Sequence, residues 1–529
     1  MDGRTVLKRF KAAKKRKANW DTTYKEALQY AAPQRETFFD YQPGVKKNQP
    51  DKVFDSTALS AMQKFASNMQ SSLLPPMKKW ISLVPGDQIA EEQKAEAAKQ
   101  LESIRDKMFR ALHNSNFDTQ ISESFLDLAI GTGALLVLKG TDKQPLRFVS
   151  VPLAEMVLEE GAHGVIDTAF REHKMPGRNI EKTWDDATLS PSLKSALEAN
   201  PDKDVHLVDA TLPKRIKAEV RTETGNTIKK EVDGFVYMVI HVKTGEVLVQ
   251  REQRSSPWIV FRWSVMPNEI YGRGPLLLSL ADVKTINKTK ELILKNASIK
   301  TAGAWTVADD GIVNINNIRI QPGAKIPVSS NPGSINGPSI APLAMPGDFN
   351  VAQLVLQDLR TSINEMMFTD PFGSLDLPVR TATEMMLRQQ ELSKRIGSAF
   401  GRINFELINP LVERVLFVLE EMGQVDLNDF RIDGEFIAIE HISPLAQAQD
   451  QEQLTAMMRY AEILTSTFGP EMTMMLLKAD KYSAKVADFL NIPADIVPTE
   501  AEFQQLQRAV AGLAAGQAQA QQGQQTGQQ

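Results

Sequence analysis

The sequence predicts an α+β fold that is mostly α-helical. Apolar residues recur every three or four positions over long stretches near both ends of the chain, which is typical of amphipathic helices. Short runs of β-branched and aromatic residues fill the middle of the chain, which is typical of strands. The chain has 529 residues, of which 42% are hydrophobic and 24% are charged. That composition provides apolar surface for large cores, and the length predicts about three or four domains.

The N-terminal part is predicted to be helical. Residues 1–17 contain eight basic residues and one acidic residue, a net charge of +7 in a chain whose total charge is −4. These cations either form the solvated face of a first helix or bind an acidic surface such as nucleic acid. A second helix is predicted over residues 55–74, with Asp55 or Ser56 as its cap and two prolines after its end. A third helix is predicted over residues 91–115.

From about residue 147 to residue 263 the pattern changes to short runs of strand-forming residues. Residues 237–242 are β-branched and aromatic, and a Lys-Thr-Gly turn leads from them into another such run, which predicts a β-hairpin. One more helix is predicted ahead of this region. The acidic residues Asp202, Asp204 and Asp209 are interpreted as part of a solvated loop, in preference to a cation site.

Long helices are predicted in the second half of the chain. Residues 276–300 and 349–367 are expected to form two helices that bracket an insert rich in glycine, proline and asparagine at residues 301–347. The first of these helices is apolar on several faces, which is typical of a buried helix. Prolines break the chain after the second helix, so that residues 369–380 are predicted to form a loop.

The C-terminal part is predicted to contain a long helix, a short strand and a helical end. Residues 381–422 carry an apolar stripe spaced by three and four, and Pro410 is expected to kink this helix. The segment EFIAIEHI is predicted as a strand, and helices are predicted over residues 444–510. The remaining tail has no charged residue and is rich in glutamine, so it is expected to be disordered.

The sequence contains none of the common fingerprints of catalysis or metal binding. It has no cysteine, which excludes disulfides and a thiol nucleophile, and its six histidines lack the spacing of metal ligands. It has no GxxxxGK[ST] phosphate loop and no GxSxG motif, and the segment YGRG lacks the third glycine of a dinucleotide site. No apolar run reaches the roughly 20 residues that span a bilayer, and no secretory signal is expected. We therefore predict a structural or binding protein with no enzymatic activity, no catalytic residue, no cofactor, no metal site and no membrane partner.

Three lysines form a basic stripe on the first long helix of the second half. At about 100° per residue, Lys284, Lys288 and Lys295 lie within about 40° of one another around the helix axis. The stripe is either an ordinary solvated face or a surface that faces a polyanion.

Four segments of the sequence are distinctive in their order and spacing. They are FDSTALSAMQKFASNMQSSLLPPMKKWISL, AIGTGALLVLKG, PWIVFRWSVMPNEIYGRGPLLLSLADVKTINKTKE and DPFGSLDLPVRTATEMMLRQQELSKRIGSAFGRINFELINPLVERV. The more specific parts are RW…ExYGRGP…LxDxKxxN and RTATE. On these residues, which cover most of residues 20–425, the chain resembles the portal proteins, the head-to-tail connectors of short-tailed bacteriophages of the podovirus type.

The resemblance implies a subunit with wing, stem, clip and crown parts that assembles into a ring through long stem helices. The parts that it implies are a wing at residues 1–275 (α+β from about residue 147), a first stem helix at 276–300, a clip at 301–347, a second stem helix at 348–368, a tunnel loop at 369–380, a long wing helix and closing strand at 381–443, a helical crown at 444–510 and a disordered tail at 511–529. The tunnel-loop residues would be Asp370, Pro371, Phe372, Leu375, Asp376 and Leu377. The residues that would line a DNA channel are Lys284, Lys288, Lys295 and Arg380.

The resemblance also implies the partners of the chain. It implies a ring-shaped homo-oligomer, expected to be a dodecamer, at one vertex of the capsid in the virion, assembled in the host cytoplasm. Double-stranded DNA would pass through the ring without sequence specificity. The protein partners would be the terminase large subunit, the capsid and scaffolding proteins and the tail adaptor proteins. Two alternatives stay open: another virion structural protein such as a tail adaptor, or an enzyme such as a packaging ATPase or a nuclease.

Overall fold

The computed structural model divides the chain into two compact units. The residues that it describes are 2–35, 53–86, 91–221, 227–302, 305–307, 340–342, 349–369, 397, 399–426, 437–441, 444–469, 477, 482–483 and 486. Unit 1 contains Met1–Asn68, Ser115–Asp370 and Gly401–Val418, and unit 2 contains Met69–Asn114, Pro371–Phe400 and Leu419–Gln529. Each unit is therefore assembled from segments that are distant in the sequence.

A five-stranded antiparallel sheet forms the largest part of unit 1. Its strands, in spatial order, are β4 (Met156–Glu160), β5 (Ile166–Pro176), β6 (Asp204–Arg221), β7 (Thr227–His241) and β8 (Val247–Gln253). The predicted hairpin is confirmed, because β7 pairs with β8 through the Lys-Thr-Gly turn. Gly245 has a φ of 77° in that turn, a conformation that glycine adopts at little cost.

Helices cover both faces of this sheet. The long N-terminal helix α1 (Gly3–Ala31) packs Val6, Leu7, Phe10 and Ala13 against one face. On the other face lie α5 (Ile180–Thr183) and α6 (Pro191–Ala199) with Trp184, which cover buried residues of β6, β7 and β8. Ser190 caps α6 by accepting a hydrogen bond from the Leu193 N–H. The basic N-terminal stretch is thus one side of a helix that is anchored on the sheet.

A second, three-stranded sheet in unit 1 begins earlier in the chain than the sequence indicated. Strand β2 (Thr132–Lys139) lies between β3 (Leu146–Ser150) and β9 (Trp258–Arg262), next to helix α4 (Phe117–Ile130). The strand-rich region was predicted to begin at about residue 147, and that boundary is wrong. Strand β2 is buried on both sides along most of its length, so its residues form a continuous apolar run without the alternation that marks a half-exposed strand.

The long helices of unit 1 differ from the prediction in detail. The helix predicted at residues 276–300 is interrupted at the buried Ser279, which separates α7 (Pro275–Leu278) from α8 (Leu280–Ala302). Helix α9 (Phe349–Met366) follows the insert, of which a short antiparallel ladder between β10 (Trp305–Val307) and β11 (Ile340–Pro342) is described. The rest of the insert lies outside the described residues.

Of the helix predicted at residues 381–422, the structure describes residue 397 and residues 399–422. A π-helical turn at Asn404–Ile408 leads into α10 (Asn409–Glu421), so an irregularity is present where Pro410 was expected to produce one. Pro410 has no N–H that could donate to the carbonyl four residues earlier. Just before it, the Asn409 N–H donates to the Asn404 carbonyl five residues back, which is the hydrogen bond of a π-helix. The predicted apolar stripe is buried at Phe400, Ile403, Leu407, Leu411, Val415 and Val418, whereas Met422 at its end is only partly buried.

Unit 2 contains a two-stranded sheet and further helices. Strand β1 (Ile81–Pro85) pairs antiparallel with β12 (Ile437–His441), which confirms the predicted strand in EFIAIEHI and supplies a partner that the sequence did not indicate. Helix α3 (Glu91–His113) packs on β1, with the rings of Trp80 and Phe109 edge to face at 5.2 Å. Helix α11 (Pro444–Phe468) agrees with a predicted helix, and so does α2 (Thr57–Leu73), most of which belongs to unit 1. No helix in the described parts of the chain is both long enough and apolar enough to cross a membrane.

A buried polar cluster occupies the sheet face that α5 and α6 cover. Asp209 on β6 is paired in register with Arg171 on β5, and the His173 Nδ1 lies 4.0 Å from an Asp209 carboxylate oxygen. Arg171 also donates a 2.8 Å hydrogen bond to Glu155. Asp209 is only 2% exposed, so its assignment to a solvated loop is wrong. The error arose because helices cover both faces of β6, and a strand covered on both faces loses its polar alternation.

The environment of this cluster shifts two pKa values in opposite directions. Burial raises the pKa of Asp209 to about 7, although the positive charge of Arg171 works against that shift. Burial and the same arginine lower the pKa of His173 to about 4. At neutral pH the histidine is therefore uncharged and the aspartate is close to its titration midpoint.

Replacing Asp209 with asparagine is expected to stabilise the protein at alkaline pH relative to the wild type. The folded-state pKa of Asp209 lies above its unfolded value, so the stability that it contributes is present below about pH 4 and is lost as the pH rises toward about 7. Asparagine has the shape of the protonated carboxyl and does not titrate. In urea titrations, the unfolding free energy of D209N minus that of the wild type should increase by about 2 kcal/mol as the pH rises from about 5 to about 8. The exposed D202N variant should gain nothing, and a D209N difference that is independent of pH would contradict the prediction.

Candidate functional site

The two long helices α8 and α9 of unit 1 pack side by side where α8 begins and α9 ends. Val283 and Ile286 of α8 are fully buried, as is Ile363 near the end of α9. The Ser362 hydroxyl donates a 3.0 Å hydrogen bond to Asp282, which joins the helices in the same region. Residues near the start of one helix therefore meet residues near the end of the other, as expected for an antiparallel pair.

The opposite end of this pair exposes large apolar side chains. Leu292 and Leu294 on α8 are 54% and 50% exposed, and Leu354 and Val355 on α9 are 70% and 43% exposed. From Lys288 to Ser298, the last described position of its side chains, α8 has no buried residue. Large apolar side chains left exposed on neighbouring elements of a single chain commonly mark a contact with another protein. We call Leu292, Leu294, Leu354 and Val355 the exposed apolar set.

Asp55, just before α2, connects the N-terminal segment to both long helices. Its carboxylate accepts hydrogen bonds from Lys290 of α8 at 3.1 Å and from Arg360 of α9 at 2.8 Å. It also accepts the Thr57 N–H at 2.9 Å, which confirms the predicted capping role at the start of α2. The Asp55 side chain is only 2% exposed. One buried carboxylate thus holds three segments of the chain together.

The electrostatic environment keeps Asp55 ionised. Burial alone would raise the pKa of this carboxyl, but hydrogen bonds from Arg360, Thr57 and Lys290 outweigh burial and hold the pKa well below its usual range. The backbone around Asp55 is fixed as well, because the Phe54 and Asp55 N–H groups both donate to the Asn287 side-chain oxygen, at 2.9 and 3.0 Å. The function of Asn287 was not recognised from the sequence. A polar residue next to Val283 and Ile286 on an otherwise apolar face was the signal that could have revealed it.

The segments AIGTGA and YGRGP meet at a close approach of two backbones. The Gly274 N–H donates to the Ile130 carbonyl at 2.7 Å, and the Trp263 N–H donates to the Gly131 carbonyl at 3.0 Å. The Gly272 N–H donates to the Thr132 hydroxyl at 2.8 Å. We call this contact the glycine junction. It places the start of α7, the short helix that precedes α8, directly against the end of α4.

The glycine junction leaves no room for a side chain at its centre. A Cβ atom at Gly131 would lie 2.0 Å from the Gly272 carbonyl oxygen, and a Cβ atom at Gly272 would lie 2.2 Å from the Gly131 carbonyl oxygen. Both obstacles are backbone atoms, which cannot rotate away as a flexible side chain can. Glycine is therefore required by the close approach itself. The YGRG segment, which lacks the pattern of a dinucleotide site, has a packing role here.

The RW and INFE segments are joined by a buried ion pair. The Arg262 guanidinium donates to Glu406 in the π-helical turn, with a shortest distance of 2.6 Å, and the Arg262 backbone N–H donates to the same carboxylate at 2.9 Å. The neighbouring Trp263 packs its ring against Phe65 of α2 at 5.3 Å and against Phe368 at 5.5 Å. Parts of the four segments that suggested the resemblance are therefore in direct contact with one another in unit 1.

The structure places the three predicted channel lysines on α8 and gives each an acidic partner. Lys284 pairs with Glu26 of α1 at 2.5 Å. Lys288 and Lys295 both bind Glu291, at 3.0 and 2.5 Å, and remain 64% exposed. Hydrogen bonds from Lys295 and Lys288 lower the pKa of Glu291. Glu291 could have been found from its spacing of three and four residues, whereas Glu26 is too distant in the sequence to be linked to Lys284.

The other predicted site residues lie outside the described residues. These are Arg380 of the proposed channel and the tunnel-loop residues Asp370, Pro371, Phe372, Leu375, Asp376 and Leu377. Within the described ranges, no three His, Cys, Asp or Glu side chains are grouped so that they could hold a metal ion. The described part of the site is thus a framework of packed helices and buried ion pairs.

Comparisons with known proteins connect this framework to phage particles. The profile of a family described as bacteriophage head to tail connecting protein matches residues 4–497. The chain is similar to the portal protein of Salmonella phage epsilon15, with 23% identity over 515 residues that cover 94% of this chain and 89% of the relative. It is similar to the probable portal protein of Bordetella phage BPP-1, with 23% identity over 517 residues, 93% of this chain and 88% of the relative. Among solved structures, a chain from the virion of a native gene transfer agent particle matches this chain with 11% sequence identity and a TM-score of 0.34. The match covers 84% of this chain and 90% of the solved chain.

The resemblance to portal proteins that the four segments suggested is confirmed by these matches. The family profile extends over all four segments, and the two curated relatives are named as a portal protein and a probable portal protein. The proteins of this family are structural components of phage particles and not enzymes. The chain belongs to the family of bacteriophage head to tail connecting proteins.

Proposed function

We propose that this chain is a portal subunit that forms a ring at one vertex of the capsid, with a central channel for double-stranded DNA. The ring would dock the terminase motor during packaging and the tail afterwards. The observation that carries the proposal is the exposed apolar set on α8 and α9, which the single chain leaves uncovered. A head-to-tail ring needs two complementary faces on each subunit, and neighbouring copies would bury these side chains.

In this proposal the parts of the subunit have the roles that the resemblance implies. Helices α8 and α9 are the stem, the insert between them is the clip that meets the motor and the tail, and α11 is part of the crown. The tunnel loop at residues 369–380 narrows the channel, and Lys284, Lys288, Lys295 and Arg380 line it. Because Glu26 and Glu291 partly neutralise three of these lysines, such a wall would hold phosphates weakly. Weak binding suits a channel through which DNA has to slide, and a ring of chains that each carry −4 is acidic overall.

Ring formation and its dependence on the exposed apolar set test the proposal. We expect the purified full-length protein to form rings of about twelve subunits with a central hole, seen by negative-stain electron microscopy and by mass measurement on the same sample. The double variant L292Q/L354Q should lose the rings while its circular dichroism spectrum is unchanged, because glutamine is a good helix former.

The matched control is V165Q/M266Q, which changes two exposed apolar residues of unit 1 that lie outside the long helices. This control should assemble like the wild type. Rings of L292Q/L354Q that are as abundant as those of the wild type would contradict the role of α8 and α9. A wild-type protein that stays monomeric with scaffold and capsid proteins present would favour a tail adaptor.

A further inference from the structure

Helix α1 uses its basic residues in two different ways. Its buried face, formed by Val6, Leu7, Phe10 and Ala13, lies on the five-stranded sheet. The basic residues that flank this face are paired with acids of the sheet. Arg9 and Arg16 both bind Glu159, and Lys14 binds Glu172. These cations therefore serve to attach the helix.

Four other cations of α1 point away from the sheet. At about 100° per residue, Arg4, Lys8, Lys11 and Lys15 fall within an arc of about 60° on the side opposite to the buried face. All four are exposed, and none has an acidic partner among the described residues. They extend over about 16 Å of helix at a rise of about 1.5 Å per residue. We call these four residues the basic row.

One end of the basic row lies against the turn between β7 and β8. The Arg4 side chain lies against the turn between β7 and β8, where a Cβ atom at Gly245 would be 2.8 Å from its Cγ atom. The same turn carries the exposed Lys243. Two acidic residues lie at this end, and each accepts a hydrogen bond from a hydroxyl: Asp2 from Thr5 at 3.2 Å, and Glu246 of the turn from Ser190 at 2.8 Å. The row therefore presents a line of cations held in place by a helix that is itself fixed on a sheet.

We propose that the basic row binds the phosphate backbone of double-stranded DNA without sequence specificity. Duplex DNA carries one negative charge about every 1.7 Å along its axis, so a row of about 16 Å meets several phosphates at once. Between the cations the exposed face offers no large apolar or aromatic side chain, and interfaces between proteins depend on such residues for most of their affinity. A phosphate backbone requires only positioned charge. The site goes beyond the proposed channel, because it lies on the outer side of α1 and not on the long helices.

Salt-dependent DNA binding by the full-length protein tests this inference. The probe is a fluorescent duplex of about 30 base pairs, followed by anisotropy at several salt concentrations. Against the wild type, R4Q/K8Q/K11Q/K15Q is expected to bind at least about tenfold more weakly at about 0.1 M salt. A plot of log affinity against log salt concentration should have a slope that is shallower by about 0.9 for each phosphate that the variant no longer neutralises. If all four cations of one row contact phosphates, the slope should change by about 3 to 4.

The matched control removes the same charge from other exposed lysines. K107Q/K182Q/K194Q/K217Q lies outside α1 and should retain the wild-type affinity and slope. Equal losses in both quadruple variants would reduce the effect to net charge and overturn the inference. Unchanged DNA binding by R4Q/K8Q/K11Q/K15Q would also overturn the inference. If this variant binds DNA as the wild type does but binds polyglutamate more weakly, the partner of the row is an acidic protein. Mass measurement of each variant reports ring formation separately, so that failure of this inference is distinguishable from failure of the proposed function.

Discussion

Replacing Gly272 with alanine is expected to lower the unfolding free energy by about 3 kcal/mol or more and to reduce the yield of folded protein. The added Cβ would lie 2.2 Å from the Gly131 carbonyl oxygen, and this clash can be relieved only if two backbones separate. Separation would stretch the hydrogen bonds from Gly274 to Ile130 and from Trp263 to Gly131. The measurement is urea unfolding followed by circular dichroism, together with the soluble fraction after expression.

Gly401 provides the matched control for this substitution. It belongs to the same unit and lies in a helix, and a Cβ atom there would meet nothing within 4 Å apart from its chain neighbours and the adjacent backbone of its own helix. The variant G401A should therefore be as stable as the wild type or more stable by up to about 1 kcal/mol, because alanine favours the helix. If G272A and G401A unfold at the same urea concentration as the wild type, the glycine junction is not as tight as the structure indicates.

Replacing Asp55 with asparagine is expected to cost about 2 kcal/mol of unfolding free energy at neutral pH. Asparagine keeps the shape of the side chain but removes the negative charge that Lys290 and Arg360 share. Removing one partner of a buried ion pair commonly costs about 3 to 5 kcal/mol, and the cost is smaller here because Lys290 and Arg360 are 32% and 44% exposed. The change should also loosen the packing of α8 and α9 on the segment before α2, seen as faster amide hydrogen exchange at residues 54–57.

The effect of the Asp55 substitution should depend on pH in one direction. The folded-state pKa of Asp55 is lower than its unfolded value, so its contribution is fully present above about pH 4 and is lost as the pH falls below that value. The difference in stability between wild type and D55N should therefore be largest near neutral pH and shrink in acid. The exposed D358N on α9 is the control and should match the wild type at every pH. A D55N difference that persists unchanged in acid would show that the charge of Asp55 is not what stabilises this part of the fold.

The sequence predicted individual elements well wherever a local pattern was complete. The helix around residues 57–73, the β7–β8 hairpin and the strand at 437–441 were all expected from periodicity and turn residues. Prediction failed where burial on both sides removed the pattern. Strand β2 has no polar alternation, and Asp209 lies in a strand that helices cover on both faces.

The candidate site was predictable in its segments but not in its contacts. The motifs FDST, AIGTGA, RW…YGRGP and LxDxKxxN were recognised as distinctive without any indication that they touch. The structure brings Phe54 and Asp55 to Asn287, and Gly131 to Gly272. Such contacts join residues that are more than a hundred positions apart, and no local periodicity reports them.

By itself, the sequence determined the α+β class, the order of most helices and strands, and the membership of a family of phage connectors, because each depends on residue type and spacing along the chain. Only the tertiary structure decided which basic residues are paired with acidic residues and which are left to bind a partner. It neutralises Arg9, Arg16 and Lys14 of α1 on the sheet and leaves the basic row open. It also gives the α8 lysines acidic partners, one of them on α1. The physical reason is that a charge acts over a few ångströms in space, and those distances are set by how α1, the sheets and the long helices pack.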